Sequence, residues 1–178
     1  MKVTINLEDL KDTKLRASVA SVAEKPEIFL TDKSYIVRIA ILRNKRLKKS
    51  AVLRLLQDES ELVRASALKH HCISPDDLSS LVNDPSATVR RALIDVKKLK
   101  RKDFEPLMRD KDESVRIHAI LSNRITANDV YMMSKDKSSS VRHYVLQRAA
   151  GMKLTSIVKS FLQDPNDTLR MEAKIYLR

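Results

Sequence analysis

The stretch DESELVR at residues 58–64 decides the fold, because it returns as DKSYIVR at 32–38, DPSATVR at 84–90, DKDESVR at 110–116, DKSSSVR at 136–142 and DPNDTLR at 164–170. Its aspartates, Asp32, Asp58, Asp84, Asp110, Asp136 and Asp164, follow at steps of 26 residues, with one step of 28. A fixed period of this length marks a repeat array, in which each unit is one supersecondary element that buries its apolar face only against its neighbours.

Within each copy, counted from its aspartate, position 6 is Val37, Val63, Val89, Val115, Val141 or Leu169, and position 10 is Ile41, Ala67, Leu93, Ala119, Val145 or Ala173. Residues four apart share a helix face, so these positions predict a first helix. Its start is expected at the aspartate, a favoured N-cap, with Pro85 and Pro165 as first helical residues. The pairs Asp58/Glu61 and Asp110/Glu113 have the spacing of a capping box. A second apolar set, Val52, Leu55 and Leu56, then Leu78, Leu81 and Val82, then Phe104, Leu107 and Met108, predicts a shorter second helix. A lone aliphatic, Leu47, Ile73, Leu99 or Ile125, marks the turn between them.

These patterns predict an all-α fold, an α-solenoid of stacked short helical repeats with a right-handed or gently curved course. We expect a capping segment and degenerate first repeat over 1–31, five repeats over 32–163 and a half-repeat cap over 164–178, in one continuous domain. In the first segment, Asp12 to Arg16 resembles a degenerate copy, and the alternation of Val3, Ile5 and Leu7 suits a cap or a short strand. Gly151 is expected to accommodate the two-residue insertion of the 28-residue copy.

Composition agrees with helices. One glycine, no tryptophan, 4% aromatic and 33% charged residues leave little material for strands and tight turns, and 43% hydrophobic residues supply a core. The single cysteine, Cys72, excludes an internal disulfide and a cysteine-built metal centre, and reads as a small buried hydrophobe. No segment has the length and apolarity of a signal peptide or a membrane span, so a soluble, cytoplasmic protein is expected. The net charge of +12 is a statement about partners.

The string ISPDDLSSLVNDPSATVRRAL (73–93) resembles a unit of the leucine-rich repeat variant family, whose short repeats alternate a helix with a 3₁₀-like segment. The six-residue interval between aspartate and arginine is similar to that of the ladder joining HEAT repeats. The likeness covers about residues 12–178 and implies a HEAT-like architecture. No cysteine-rich cluster of the kind found beside some leucine-rich repeat variant arrays is present, so no redox role carries over.

Residues six apart on one helix are rotated by about 240°, so the aspartate and arginine of one copy do not face each other. Arg38, Arg64, Arg90, Arg116, Arg142 and Arg170 are therefore expected to reach an aspartate or a helix-end carbonyl of the adjoining repeat, forming a structural ladder. The alternative is a row of arginines grasping phosphates. The other basic residues gather in the turns between helices: Arg43, Lys45, Arg46, Lys48 and Lys49, then Lys69 beside His70 and His71, then Lys97, Lys98, Lys100, Arg101 and Lys102, and finally Arg124, Arg148 and Lys153. Stacking would set them along one edge, with Glu59, Glu61, Asp112, Glu113 and Asp167 at the other.

That arrangement points to a binding module for a polyanion, with nucleic acid held by its phosphates because no aromatics interleave the cations to stack on bases. Exposed His70 and His71 would strengthen such binding as pH falls through about 6.5. The alternative is a protein adaptor that docks an acidic protein surface. Catalysis is not expected. No phosphate-binding loop or nucleophile–base pair emerges, and His118 and His143, though at neighbouring positions of adjacent copies, lack carboxylates at ligand spacing. The HEAT-like alkylpurine DNA glycosylases are a distant alternative whose tryptophans have no counterpart here. No cofactor, metal, membrane or small-molecule substrate is implied.

Overall fold

The computed structural model describes residues 11–178, so the expectations for Val3, Ile5 and Leu7 lie outside the described residues. The fold is all-α: pairs of short helices stack with the 26-residue period, and the described residues gather into two compact units that meet in sequence at Leu99 and Lys100.

In the first unit the leading helices of successive repeats are α1 (Thr13–Val22), α2 (Tyr35–Ala40), α4 (Glu61–Ala67) and α6 (Ala87–Ile94), and α1 packs on α2, α2 on α4, and α4 on α6. Between them run the second elements: a 3₁₀ turn at Pro26–Phe29, α3 (Lys49–Leu55), and α5 (Pro75–Leu78) continued by a 3₁₀ segment at Ser79–Asn83. The second unit opens on α7 (Arg101–Phe104), continued by 3₁₀ at Glu105–Arg109. It then alternates α8 (Glu113–Leu121) with α9 (Ala127–Met133) and α10 (Ser139–Gly151) with α11 (Thr155–Ser160), and ends on α12 (Asp167–Tyr176). Helices of four to seven residues are too short to persist alone in water. Tertiary burial stabilises them: Val37, Val63, Val89, Val115 and Val141 are fully buried, as are Ile41, Ala67, Leu93, Ala119, Val145 and Ala173.

The leading helices do not start where the sequence suggests. Their N-caps are Ser34, Ser60, Ser86, Asp112, Ser138 and Asn166, two residues after each repeat aspartate. The aspartate instead accepts the backbone N–H of that cap residue, at 2.8 Å for Ser34, Ser60, Ser86, Asp112 and Asn166 and 2.9 Å for Ser138. This is an Asx turn, which leaves the carboxylate a further face for a second partner. Pro85 and Pro165 sit in that turn, where no N–H is required. Glu61 and Glu113 are consequently first helical residues and not members of a capping box. The capping boxes stand on second helices, where Ser74 pairs with Asp77 and Thr126 with Asp129.

Three further expectations change. Met108 is half-buried, not part of the closed core. Cys72 is also half-buried, with its Sγ 3.0 Å from Nδ1 of His70. The two-residue insertion lengthens α10 to 13 residues, and Gly151 is merely its last helical residue, with nothing within 4 Å of where a Cβ would stand. Lys153 takes the left-handed conformation, φ 57°. The amide of Lys153 donates to the Ala150 carbonyl at 3.0 Å and that of Leu154 to Ala149 at 2.8 Å, the two bonds of a Schellman helix end.

Candidate functional site

The repeating arginines form a ladder. Arg16 reaches Asp32, Arg38 reaches Asp58 and Arg64 reaches Asp84 in the first unit, each Nε lying 2.8 Å from a carboxylate oxygen. Arg116 reaches Asp136 and Arg142 reaches Asp164 in the second, both at 2.7 Å. Most of these contacts are two-pronged, with Nη2 on the second carboxylate oxygen at 2.9 Å for Arg38 and 2.8 Å for Arg64. The third prong explains the six-residue interval. Nη1 donates to the backbone carbonyl of the arginine's own repeat aspartate, at 2.6 Å for Arg38 and Arg90, 2.7 Å for Arg64 and Arg170, 2.8 Å for Arg116 and 2.9 Å for Arg142.

One guanidinium thus ties its own turn to the carboxylate of the following repeat. The hydrogen bond to that aspartate raises the pKa of Arg38, Arg64, Arg116 and Arg142 above the usual guanidinium value, against the opposing effect of burial. Burial pushes the Asp84 and Asp164 carboxyls up, but the arginine hydrogen bonds, the cap-residue amides and the nearby guanidinium charges outweigh it and hold both below the ordinary range. Arg16 is a rung the repeat pattern missed, since its copy has irregular spacing and Asp12 caps α1 by accepting from Leu15. Among the described residues Arg170 pairs instead with Asp167 in its own helix.

A second set of bridges joins the second helices. Nζ of Lys49 lies 2.8 Å from Asp77, and Arg101 donates to both oxygens of Asp129. In each case the acceptor is the capping-box aspartate, so one carboxylate closes its own helix and receives a cation from the repeat before. The hydrogen bonds from Lys49 and Ser74 lower the Asp77 carboxyl to about 2. Sequence reading left Asp77 and Asp129 out because their partners stand 28 residues upstream, off the main period.

The predicted basic residues therefore divide into distinct environments. Arg43, Lys45, Arg46, Lys48 and Lys69 are exposed at the turns that follow α2 and α4, and Lys97 and Lys98 at the turn that follows α6. Lys98 donates to the carbonyls of His71 and Ile73 at 3.0 and 3.1 Å, which draws the turns of two adjacent repeats together. In the second unit Lys102 and Lys153 are exposed and Lys100 is half-buried. Arg124 and Arg148 are half-buried: the Arg124 guanidinium lies 5.5 Å from the Phe104 ring centre, and Arg148 donates to the Ser122 carbonyl at 3.2 Å. Lys49 and Arg101 carry the bridges described above.

The turn bearing Lys45 and Arg46 is held from beneath by Asn44, which is 3% exposed. Its amide donates to the carbonyls of Ala20 and Ala23 at 3.0 and 2.9 Å, and its oxygen accepts the Arg46 N–H at 2.9 Å. Asn44 closes the orphan carbonyls at the end of α1 and sets the direction of the basic turn. Only the register of one repeat on the next brings these groups together, so the sequence carries no local signal for it. His70 is half-buried, and burial, then the charge of His71, lowers its pKa below the ordinary imidazole value, which weakens the expected gain of charge there. His143 sits 2.9 Å from Glu172 and meets Gln147. Among the described residues no group of three or more His, Cys, Asp or Glu side chains converges on a metal position, and no helix is long and apolar enough to cross a membrane.

This fold of paired helices has a counterpart among solved structures. The X-ray structure of YibA from Escherichia coli matches 99% of this chain and 76% of its own length, at 20% sequence identity and a TM-score of 0.55. The fold is a HEAT-like helical repeat. At that identity the likeness is one of fold alone. No protein-family model and no curated protein matches the chain.

Proposed function

We propose that the protein is a non-enzymatic binding module that holds a polyanion, a nucleic acid gripped by its phosphates, along the helix-to-helix turns of the first unit. The observation that carries this reading is that Arg43, Lys45, Arg46, Lys48 and Lys69 are exposed at the turns of successive repeats, while the repeat aspartates Asp32, Asp58 and Asp84 are each occupied by a guanidinium at the other end of the leading helices. Consecutive repeats set such turns about 10 Å apart, a spacing that meets neighbouring phosphates along a backbone. No Phe, Tyr or Trp occurs in the sequence between Tyr35 and Phe104, which favours backbone contact over base stacking.

The reading predicts similar affinity for duplexes of unrelated sequence and a steep loss with salt, with log affinity falling by about 0.9 per neutralised phosphate for each log unit of salt. Replacing Lys45, Arg46 and Lys48 with glutamine should keep the helical content, weaken binding and make the salt slope shallower by up to about three contacts' worth. Fluorescence anisotropy with labelled duplex and single-stranded oligonucleotides provides the measurement. An absence of binding to DNA or RNA at low salt refutes the proposal.

A further inference from the structure

The second unit has a groove of about 560 Å³ between the 3₁₀ segment at Glu105–Arg109 and α9, bounded by the turns that lead into α8 and α10. Met108, Met132 and Met133 contribute its apolar surface, with Met132 half exposed at 50%. Unbranched thioether chains adapt to apolar partners of varied shape, and the volume falls within the roughly 300–1,000 Å³ typical of ligand pockets.

Charge decides what the groove accepts. Its carboxylates already have partners: Glu105 and Asp129 are held by Arg101, Asp136 by Arg116, and Asp110 accepts the Asp112 amide at 2.8 Å. Its cations do not. Arg109, Lys111, Lys135 and Lys137 are exposed on the rim, and none forms an ion pair with a carboxylate among the described residues. Lys135 instead lies 5.3 Å from the centre of the exposed Tyr131 ring. A sequence window here reads as mixed charge, DKDE and KDKSSS, but Asp136 is taken by Arg116, and Asp110 and Asp112 accept backbone amides at the start of α8.

From this juxtaposition of an adaptable apolar floor and an uncompensated cationic rim, we infer that the groove docks an acidic amphipathic peptide segment, with its apolar side chains on the methionines and its carboxylates on the four rim cations. Such a segment is one whose apolar residues recur at helical spacing of three and four. A nucleic acid would use the rim and leave the methionine floor empty. The site is independent of the turns proposed to hold nucleic acid, with which it shares no residue.

The test uses the full chain and a fluorescein-labelled synthetic peptide with leucine at helical positions i, i+3, i+4 and i+7 and glutamate elsewhere. Two controls are the same composition scrambled to abolish the apolar face, and the same pattern with lysine for glutamate. We expect saturable binding of the first peptide, and at least about tenfold weaker binding of both controls. Arg109→Glu with Lys135→Glu, and separately Met132→Gln, should each weaken the first peptide by about tenfold. Both changes are at exposed positions, and circular dichroism checks that the helices persist. A benzophenone on the peptide's apolar face should crosslink to Met108, Met132 or Met133. Equal binding of the scrambled peptide, unchanged affinity in both variants, crosslinks elsewhere, or no binding of the first peptide overturns the assignment. Loss of duplex DNA binding in the Arg109/Lys135 variant without any peptide binding would assign the rim to nucleic acid instead. Failure of DNA binding at the first unit leaves these peptide readouts unchanged.

Discussion

Arg116→Ala isolates what one rung of the ladder contributes. The wild-type guanidinium donates from Nε and Nη2 to the two oxygens of Asp136, at 2.7 and 3.0 Å, and from Nη1 to the Asp110 carbonyl at 2.8 Å. Its side chain is 4% exposed and that of Asp136 is 9% exposed. Alanine removes these bonds, together with a longer one from Nη1 to the Lys111 carbonyl at 3.4 Å, and leaves Asp136 a nearly buried carboxylate that keeps the Ser138 amide at 2.9 Å. Removing one partner of a buried pair costs about 3–5 kcal/mol. The retained amide places this case near the lower end, at about 3 kcal/mol. With a urea dependence of about 2 kcal/mol per M, the unfolding midpoint should fall by about 1.5 M.

The comparison is Arg170→Ala. Among the described residues Arg170 forms an ion pair with Asp167 of its own helix and with no repeat aspartate, and its side chain is 37% exposed. Exposed pairs contribute about 0–1 kcal/mol, so its midpoint should move by less than about 0.5 M. Adding Asp136→Asn to Arg116→Ala keeps an oxygen for the Ser138 amide but removes the stranded charge, and should restore about 1–2 kcal/mol. Equal shifts at Arg116 and Arg170, or no recovery in the double variant, would refute the claim that the buried carboxylate is what the arginine satisfies.

Other consequences follow from the same geometry. Lys153→Gly relieves a left-handed lysine at the end of α10 and should raise stability by about 0.5–1 kcal/mol, and Gly151→Ala should do the same because that position is helical and unobstructed; a loss at Gly151 would return the insertion to that residue. Acid should act through Asp77, held at about 2, and through Asp84, Asp129 and Asp164, held below their usual value. A carboxyl whose pKa is lower folded than unfolded adds stability that is complete above the unfolded value, near 3.8, and is lost as pH falls through the folded one. Thermal midpoints should therefore drop between about pH 4 and pH 2, and a midpoint that holds through that window would contradict the ladder's electrostatics. Asn44→Ala leaves the carbonyls of Ala20 and Ala23 without their donor and should cost about 1–3 kcal/mol in a melting experiment, where Lys45→Ala should cost almost nothing.

The period of 26 residues and the apolar positions 6 and 10 were enough to determine an all-α repeat, because burial of a fixed face at a fixed interval is a property of the chain itself. The helix starts were not legible in the same way. Aspartate followed by proline suits an N-cap, and only the contact with the preceding repeat's arginine shows why the carboxylates of Asp32, Asp58, Asp84, Asp136 and Asp164 are drawn out of the cap, leaving Ser34, Ser60, Ser86, Ser138 and Asn166 to take their place. The same limit applies to charge. Composition counted every lysine, arginine and carboxylate alike, yet Lys49 and Arg101 are neutralised by Asp77 and Asp129, whereas Arg109, Lys111, Lys135 and Lys137 stand without a carboxylate partner among the described residues. Local sequence specifies which residues share a helix face. Which charges cancel depends on groups some twenty to thirty residues apart meeting within 3 Å, and only the stacking of one repeat on the next brings them there.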